Sequence, residues 1–230
     1  MRGTKIFFAV WSVVLVLAIG VGLMTRFSFA QDIEVGKHME QPDQYTVNLS
    51  DDEEFTGIYF DNEMKDLTQL KERSALIVKV KVSNERLNYM RAILSGVDVL
   101  DVYKGNVKKG ERIYVYEPSN FYLETYFVEE GYNVMQDGQE YILFLKHLPI
   151  PDGYKYKGKE AISFLPVSTL YAKYPLSSKN ETKVLDRQKL LYSDEGVSYA
   201  SVQTYDILTT EPKKLKQYAT LREHVLQMDK

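Results

Sequence analysis

The chain has no cysteine in its 230 residues. Disulfide scaffolds, cysteine-ligated zinc, thiol nucleophiles and lipid attachment through cysteine are excluded together. Glycine and proline, 13 and 7, are too few for a collagen-like or low-complexity chain, and 44% hydrophobic against 27% charged residues excludes wholesale disorder. Charge of neither sign dominates: 29 Lys and Arg face 32 Asp and Glu, a net −3. Without Arg2, Lys5 and Arg26, 26 basic side chains face 32 acidic ones, a charge of −6. Such a domain has no general attraction for a phosphate backbone, so no nucleic-acid partner is expected. The three histidines, His38, His147 and His224, lack partners at metal-ligand spacing, and neither a metal nor a cofactor is expected. Neither Ser95-Gly96 nor Ser163 sits in a G-x-S-x-G turn. The acidic pair Glu129-Glu130, if on a strand, points to opposite faces. No nucleophile, base and orienting group can be assembled, so the chain is not expected to be an enzyme.

What the chain does have is an uncharged run at residues 6–24, IFFAVWSVVLVLAIGVGLM. As a helix it reaches about 28 Å, nearly the thickness of a bilayer core. Arg2 and Lys5 precede it and only Arg26 follows closely, which places the N-terminus inside and residues 31 onward outside the cytoplasm. Residues 1–30 are therefore a signal peptide or signal anchor. Cleavage after Ala30 is offered by the small residues of Ser28-Phe29-Ala30 and would release a secreted protein. The length of the apolar run, beyond the roughly 7–15 residues of a signal core, favours a retained single-pass anchor with the membrane as its partner.

Residues 31–63 read as an acidic stalk, with Asp51-Asp52-Glu53-Glu54 as a solvated turn rather than a calcium loop, since it lacks spaced ligands and a turn glycine. Asp66 caps a short helix in which Leu67 and Leu70 share a face. In residues 75–83, Leu76, Val78, Val80 and Val82 alternate with Lys79 and Lys81, the pattern of half-buried sheet. The next strand, 91–103, changes phase from Val97 and Val99 to Leu100 and Val102, which predicts a β-bulge there. Strands at 113–116, 140–146 and 161–167 complete the series. The 140–146 strand, apolar on both faces, is expected at the centre. Residues 76–167 thus predict a closed, five- or six-stranded antiparallel barrel. Residues 177–230 form a C-terminal extension, helical or extended at 184–192. A terminal helix at about 211–228, capped by Thr210, turns an apolar stripe of Leu215, Tyr218, Leu221, Val225 and Leu226 onto the barrel.

The segments DLTQLKERSALIVKVKV (66–82), VDVLDVYKGNVKKGERIYVYE (97–117) and DGQEYILFL (137–145) resemble the bacterial extracytoplasmic domains with a TIMP-like or netrin-like OB fold. The resemblance lies in Val102, Lys104, Gly105, Gly110, Ile113, Val115, Gly138, Tyr141, Phe144 and Leu145. It covers residues 64–170 and implies a mainly β, OB-type closed barrel (64–176) in an exported protein of Gram-positive type. Animal inhibitors of this fold use an N-terminal cysteine and disulfides, which this chain lacks. Both Asn-x-Ser/Thr motifs, at Asn48 and Asn180, are coincidental in a bacterial setting.

Tyrosine is abundant, 18 residues against one Trp. Phe121 and Tyr126 are expected to fill the interior. With Ile113 and Val115 inward, Tyr114 and Tyr116 face outward and, with Tyr122, are expected to form an exposed patch for a peptide or glycan at the cell surface. A protease inhibitor or an enzyme using the barrel loops is the alternative.

Overall fold

A computed structural model describes residues 2–28, 35–50, 53–177, 182–192 and 196–229. In chain order its helices and strands are α1 (Arg2–Ser28), α2 (Val35–Glu40), β1 (Thr46–Ser50), α3 (Glu53–Thr56), α4 (Leu67–Arg73), β2 (Leu76–Tyr89), β3 (Ala92–Lys104), β4 (Arg112–Glu117), β5 (Ser119–Tyr122), β6 (Thr125–Glu129), β7 (Glu140–His147), β8 (Ser163–Pro166), β9 (Lys173–Pro175), α5 (Arg187–Tyr192) and α6 (Pro212–Leu226). The chain divides into two units, Met1–Asp32 and Ile33–Lys230.

The first unit is α1. Its stretch Ile6–Thr25 is long and apolar enough to cross a membrane, and none of it is buried. The hydroxyls of Ser12 and Thr25 donate to the carbonyls of Phe8 and Val21 four residues back, so neither needs water. The junction around Phe29, Ala30 and Gln31, the pair Asp51-Asp52, and Asn180-Glu181 lie outside the described residues.

The second unit is built on an OB-type closed five-strand barrel in the order β2-β3-β4-β8-β7 and back to β2. Every seam is antiparallel except β4 against β8, which is parallel, and this corrects the expectation of a wholly antiparallel barrel. Leu76, Val78, Val80 and Val82 of β2 meet Val97, Val99, Ile113, Val115, Tyr141, Leu143, Leu145 and Phe164 inside. The predicted bulge is present: Val80 pairs with Val99 and Lys79 with Asp101, leaving Leu100 without a partner on β2. Further along, Val82 pairs with Val97 but Arg86 with Ser95, so Ser83, Asn84 and Glu85 crowd Gly96. A Cβ at Gly96 would stand 3.0 Å from Ser83 Oγ and 3.2 Å from the Glu85 carbonyl, which is why glycine occupies the bend. β7 is central, with β2, β8 and β9 all paired to it. Its other face, Ile142 and Phe144, packs with Leu70 of α4 and Tyr218, Leu221 and Val225 of α6. Asp66 caps α4 by accepting from Gln69 N at 2.9 Å. α6 instead has Glu211 at its cap position, without a side-chain cap bond, so Thr210 does not cap it.

Residues 35–50 are no stalk. Val35, Met39, Tyr45 and Val47 are buried, and β1 pairs in parallel with β6 in a separate sheet of order β1-β6-β5. Residues beyond 177 are likewise part of the fold: Leu185, Tyr199, Val202 and Leu208 close a second core over the inner face of that sheet, with Val35, Phe121, Tyr126 and Val128. Val184 to Tyr192, open between helix and strand from the sequence, contains α5.

Candidate binding site

The small sheet obeys strict alternation. Val47 and Leu49 of β1, Phe121 of β5 and Tyr126 and Val128 of β6 turn into the second core. The opposite face therefore carries Asn48 and Ser50, Asn120 and Tyr122, Phe127 and Glu129. Phe127 lies between Asn48 and Asn120 across the strands, and Glu129 beside Ser50. This face, with Met90 and Arg91 of the β2–β3 hairpin, lines a chamber of about 370 Å³. A second chamber, about 260 Å³, is walled by Tyr59, Phe60, Tyr116, Pro118, Leu148, Pro149 and Leu165. Arg91 and Glu129 line both, so the two are lobes of one groove.

The hairpin is tight: Tyr89 pairs with Ala92, leaving Met90 and Arg91 as its turn. Arg91 adopts φ 70°, a left-handed conformation that costs a non-glycine residue about 1–2 kcal/mol. Met90 is 87% exposed at the tip. The sheet edge beside it is closed by Asn88, whose amide donates to the Phe121 carbonyl at 2.7 Å and accepts from Phe121 N at 3.1 Å.

Glu129 is the chemical centre of the groove. It is 8% exposed, and its Oε2 is sealed from solvent with no hydrogen-bond partner. Its neighbour Glu130 leaves on the other side, with φ 43°, into a polar cavity of about 570 Å³. There Thr56 Oγ1 donates to Glu130 Oε1 at 2.6 Å and Asn62 Nδ2 to Oε2. Asp61 faces Arg73 at 3.7 Å, and Lys214 bonds Glu211 at 2.7 Å. Lys146 lines the same cavity, and burial holds its ammonium below the usual lysine range, against the pull of Asp61.

The three tyrosines expected as one patch are separated. Tyr114 faces out of the barrel but is only 7% exposed, because the 3-10 turn Gly158–Ile162 lays Lys159 across its ring at 4.3 Å. Its hydroxyl donates to Glu85 at 2.8 Å. The Lys159 hydrogen bond, then that of Tyr114, pulls the Glu85 carboxyl down to about 2. Tyr116 is half-buried, 6.5 Å from the Tyr89 ring, and lines the smaller lobe. Tyr122 is 60% exposed and lines the larger. Tyr116 and Tyr122 therefore share a groove that Tyr114 does not reach.

Phe121 and Tyr126 fill the second core, and His38 stacks on Phe121 at 5.3 Å. Among the described residues no group of His, Asp and Glu could hold a metal ion. Sequence reasoning missed Glu129 and Arg91 as site residues. Alternation in Tyr126 to Glu129 was the available signal for Glu129.

A charged network lies buried beneath. Glu117 accepts from Ser95 Oγ at 2.5 Å and Met135 N at 2.8 Å. Arg86 donates to the Met135 carbonyl at 2.6 Å and pairs with Asp137 at 3.0 Å. Lys173 Nζ donates to the carbonyls of Asn133 at 2.5 Å and Asp206 at 3.1 Å, beside the rings of Tyr132 and Tyr141. Burial pushes Lys173 down to about 8, with Glu117 and Asp206 opposing the shift.

No protein-family model, no curated protein and no solved structure matches the chain. What the groove can bind follows from its geometry alone.

Proposed function

We propose that this is a non-catalytic binding module of TIMP-like or netrin-like OB type at a bacterial cell surface, anchored by α1 with residues 31 onward outside the cytoplasm. The observation that carries the reading is the two-lobed groove, an aromatic and apolar trough holding one buried carboxylate. Apolar walls with few polar groups are the usual make-up of recognition sites. Aromatic rings supply stacking area to a sugar or an extended peptide, and the flanking amides of Asn48 and Asn120 supply hydrogen bonds. The Arg2 and Lys5 flank supports the orientation.

The rival reading, catalysis or protease inhibition through the barrel loops, draws on the polar cavity around Glu130. Most of its titratable side chains are bound to one another or to neighbours, which favours a structural role.

Full-length protein in mild detergent should sediment with purified cell-wall sacculi, and the double variant Tyr116→Ser, Tyr122→Ser should lose this at an unchanged melting temperature. Equal sedimentation of the variant removes the groove as the site. Protease added to intact protoplasts should digest residues 31 onward, and survival until lysis refutes the orientation.

A further inference from the structure

The larger lobe leaves its neutral polar groups without partners. Asn120 of β5 is only 6% exposed, yet its side-chain amide makes no hydrogen bond among the described residues. Neither of its polar atoms is sealed off, so both open into the chamber that it lines. A buried amide left in this state asks for a partner from outside the fold. Asn48 and Ser50 of β1 and Tyr122 of β5 bring three more unbonded polar side chains to the same face. The registers Asn48 to Phe127 and Phe127 to Asn120 set the Phe127 ring between the two amides, with about 4.8 Å from strand to strand. We propose that this lobe binds a neutral glycan, a β-1,4-linked chain of pyranoses with equatorial substituents, stacked on Phe127. The proposal deepens the binding-module reading and rests on it.

The chemistry of the face selects this occupant. A carboxamide both donates and accepts, so each can hold adjacent polar groups of one sugar, and amides on both sides of a stacked ring reach its opposite edges. A pyranose with equatorial substituents presents a flat C–H face, which the half-buried Phe127 ring can stack on. Tyr122, two residues beyond Asn120 and about 7 Å along the strand, offers its 60% exposed ring to the next sugar. An extended peptide would add a strand at a sheet edge, and both edges are taken: Asn88 bonds Phe121 on β5, and Val47 N of β1 donates to the Val197 carbonyl at 2.8 Å. An ionic ligand finds no excess charge, because the charged residues of the lining, Arg91 and Glu129, are of opposite sign.

The test is calorimetric titration of the full chain in phosphatidylcholine nanodiscs, a support free of sugar. The probes are cellotriose and tri-N-acetylchitotriose, which share linkage and equatorial geometry and differ at C2. Saturable binding of at least one is expected, and the tighter of the two tells a plain from an amino-sugar chain. Maltotriose, the bent α-1,4 isomer, should bind more weakly than the tighter probe by about tenfold or more, and Asn120→Ala and Phe127→Leu should each weaken that probe by the same factor. Asn120→Ala should melt with the parent, since no hydrogen bond of the fold is lost. Asn48→Ala, at an exposed position, should also lose binding, and it decides the matter should Asn120→Ala fail to fold. No saturable heat from either trisaccharide, equal binding of maltotriose, or undiminished binding by the Asn120 and Asn48 variants overturns the proposal. Nα-acetyl-pentaalanine amide binding as tightly as the better trisaccharide overturns the choice of a glycan over a peptide. Sacculus sedimentation that persists while both trisaccharides fail removes this proposal and leaves the binding-module reading standing.

Discussion

Lys173 makes the stability of the fold depend on pH in a direction opposite to that of its many tyrosines. Its ammonium sits on β9 beneath the barrel, 4% exposed, held by two carbonyls rather than by a direct ion pair. Burial lowers its pKa from 10.5 to about 8, so between these values the native state has lost a proton that the unfolded chain keeps. Stability then rises with pH, at up to about 1.4 kcal/mol per pH unit, and the whole shift amounts to about 3 kcal/mol. Above pH 10 the sign reverses. Burial raises Tyr126, Tyr132, Tyr174 and Tyr218, so the native state holds phenol protons that the unfolded chain releases, and stability falls. Urea unfolding of the full chain should show a midpoint climbing by about 1 M between pH 8 and pH 10, at a slope of about 2 kcal/mol per M, and then dropping. Lys146 shifts in the same direction as Lys173, so the difference from Lys173→Met isolates the contribution of Lys173. At pH 7 that substitution removes a buried charge worth about 3 kcal/mol but strands two carbonyls at about 1–3 kcal/mol each, and the two effects nearly cancel. At pH 10 only the loss remains. A flat midpoint from pH 8 to 10, or the same slope in Lys173→Met, refutes the reasoning.

Asn88→Ala removes both hydrogen bonds to Phe121 and should cost about 1–3 kcal/mol in urea unfolding. Because it also uncovers the β5 edge, light scattering should report self-association, and a strictly monomeric variant would show that the edge is closed by something else. Gly131→Ala should cost more than about 3 kcal/mol, since φ is 86° and the added Cβ meets the Leu208 carbonyl oxygen and, at 2.8 Å, Leu170 Cδ2. A melting temperature within a few degrees of the parent would contradict that packing. Tyr114→Ser should destabilise by about 2–4 kcal/mol, whereas Tyr122→Ser should stay within about 0.5 kcal/mol, and equal effects would mean that Tyr114 is not covered.

The barrel was legible because its signals are local. Alternation in Leu76 to Val82 and the two apolar faces of Tyr141 to Leu145 state which way successive side chains point, and the phase slip after Val99 states where the strand bends. The long uncharged run of α1 and the cap at Asp66 are equally local. Short elements carry too few periods to be read: β1 and β5 have five and four residues, and their burial depends on segments far along the chain, such as Tyr199 and Val202. Buried charge was invisible for a related reason, since Arg86, Glu117 and Lys173 read as surface residues until partners from distant elements surround them. Tyr114 shows the limit most directly. Its outward direction is fixed by the two-residue period of a strand, but its exposure was decided by Lys159, 45 residues later, which folds back across the ring. The groove at Glu129 has the same origin. Sequence alone determined the membrane-length helix, the barrel strands and the faces they present; only tertiary structure decided which of those faces stay open, because covering a face is a contact between segments that no local periodicity records.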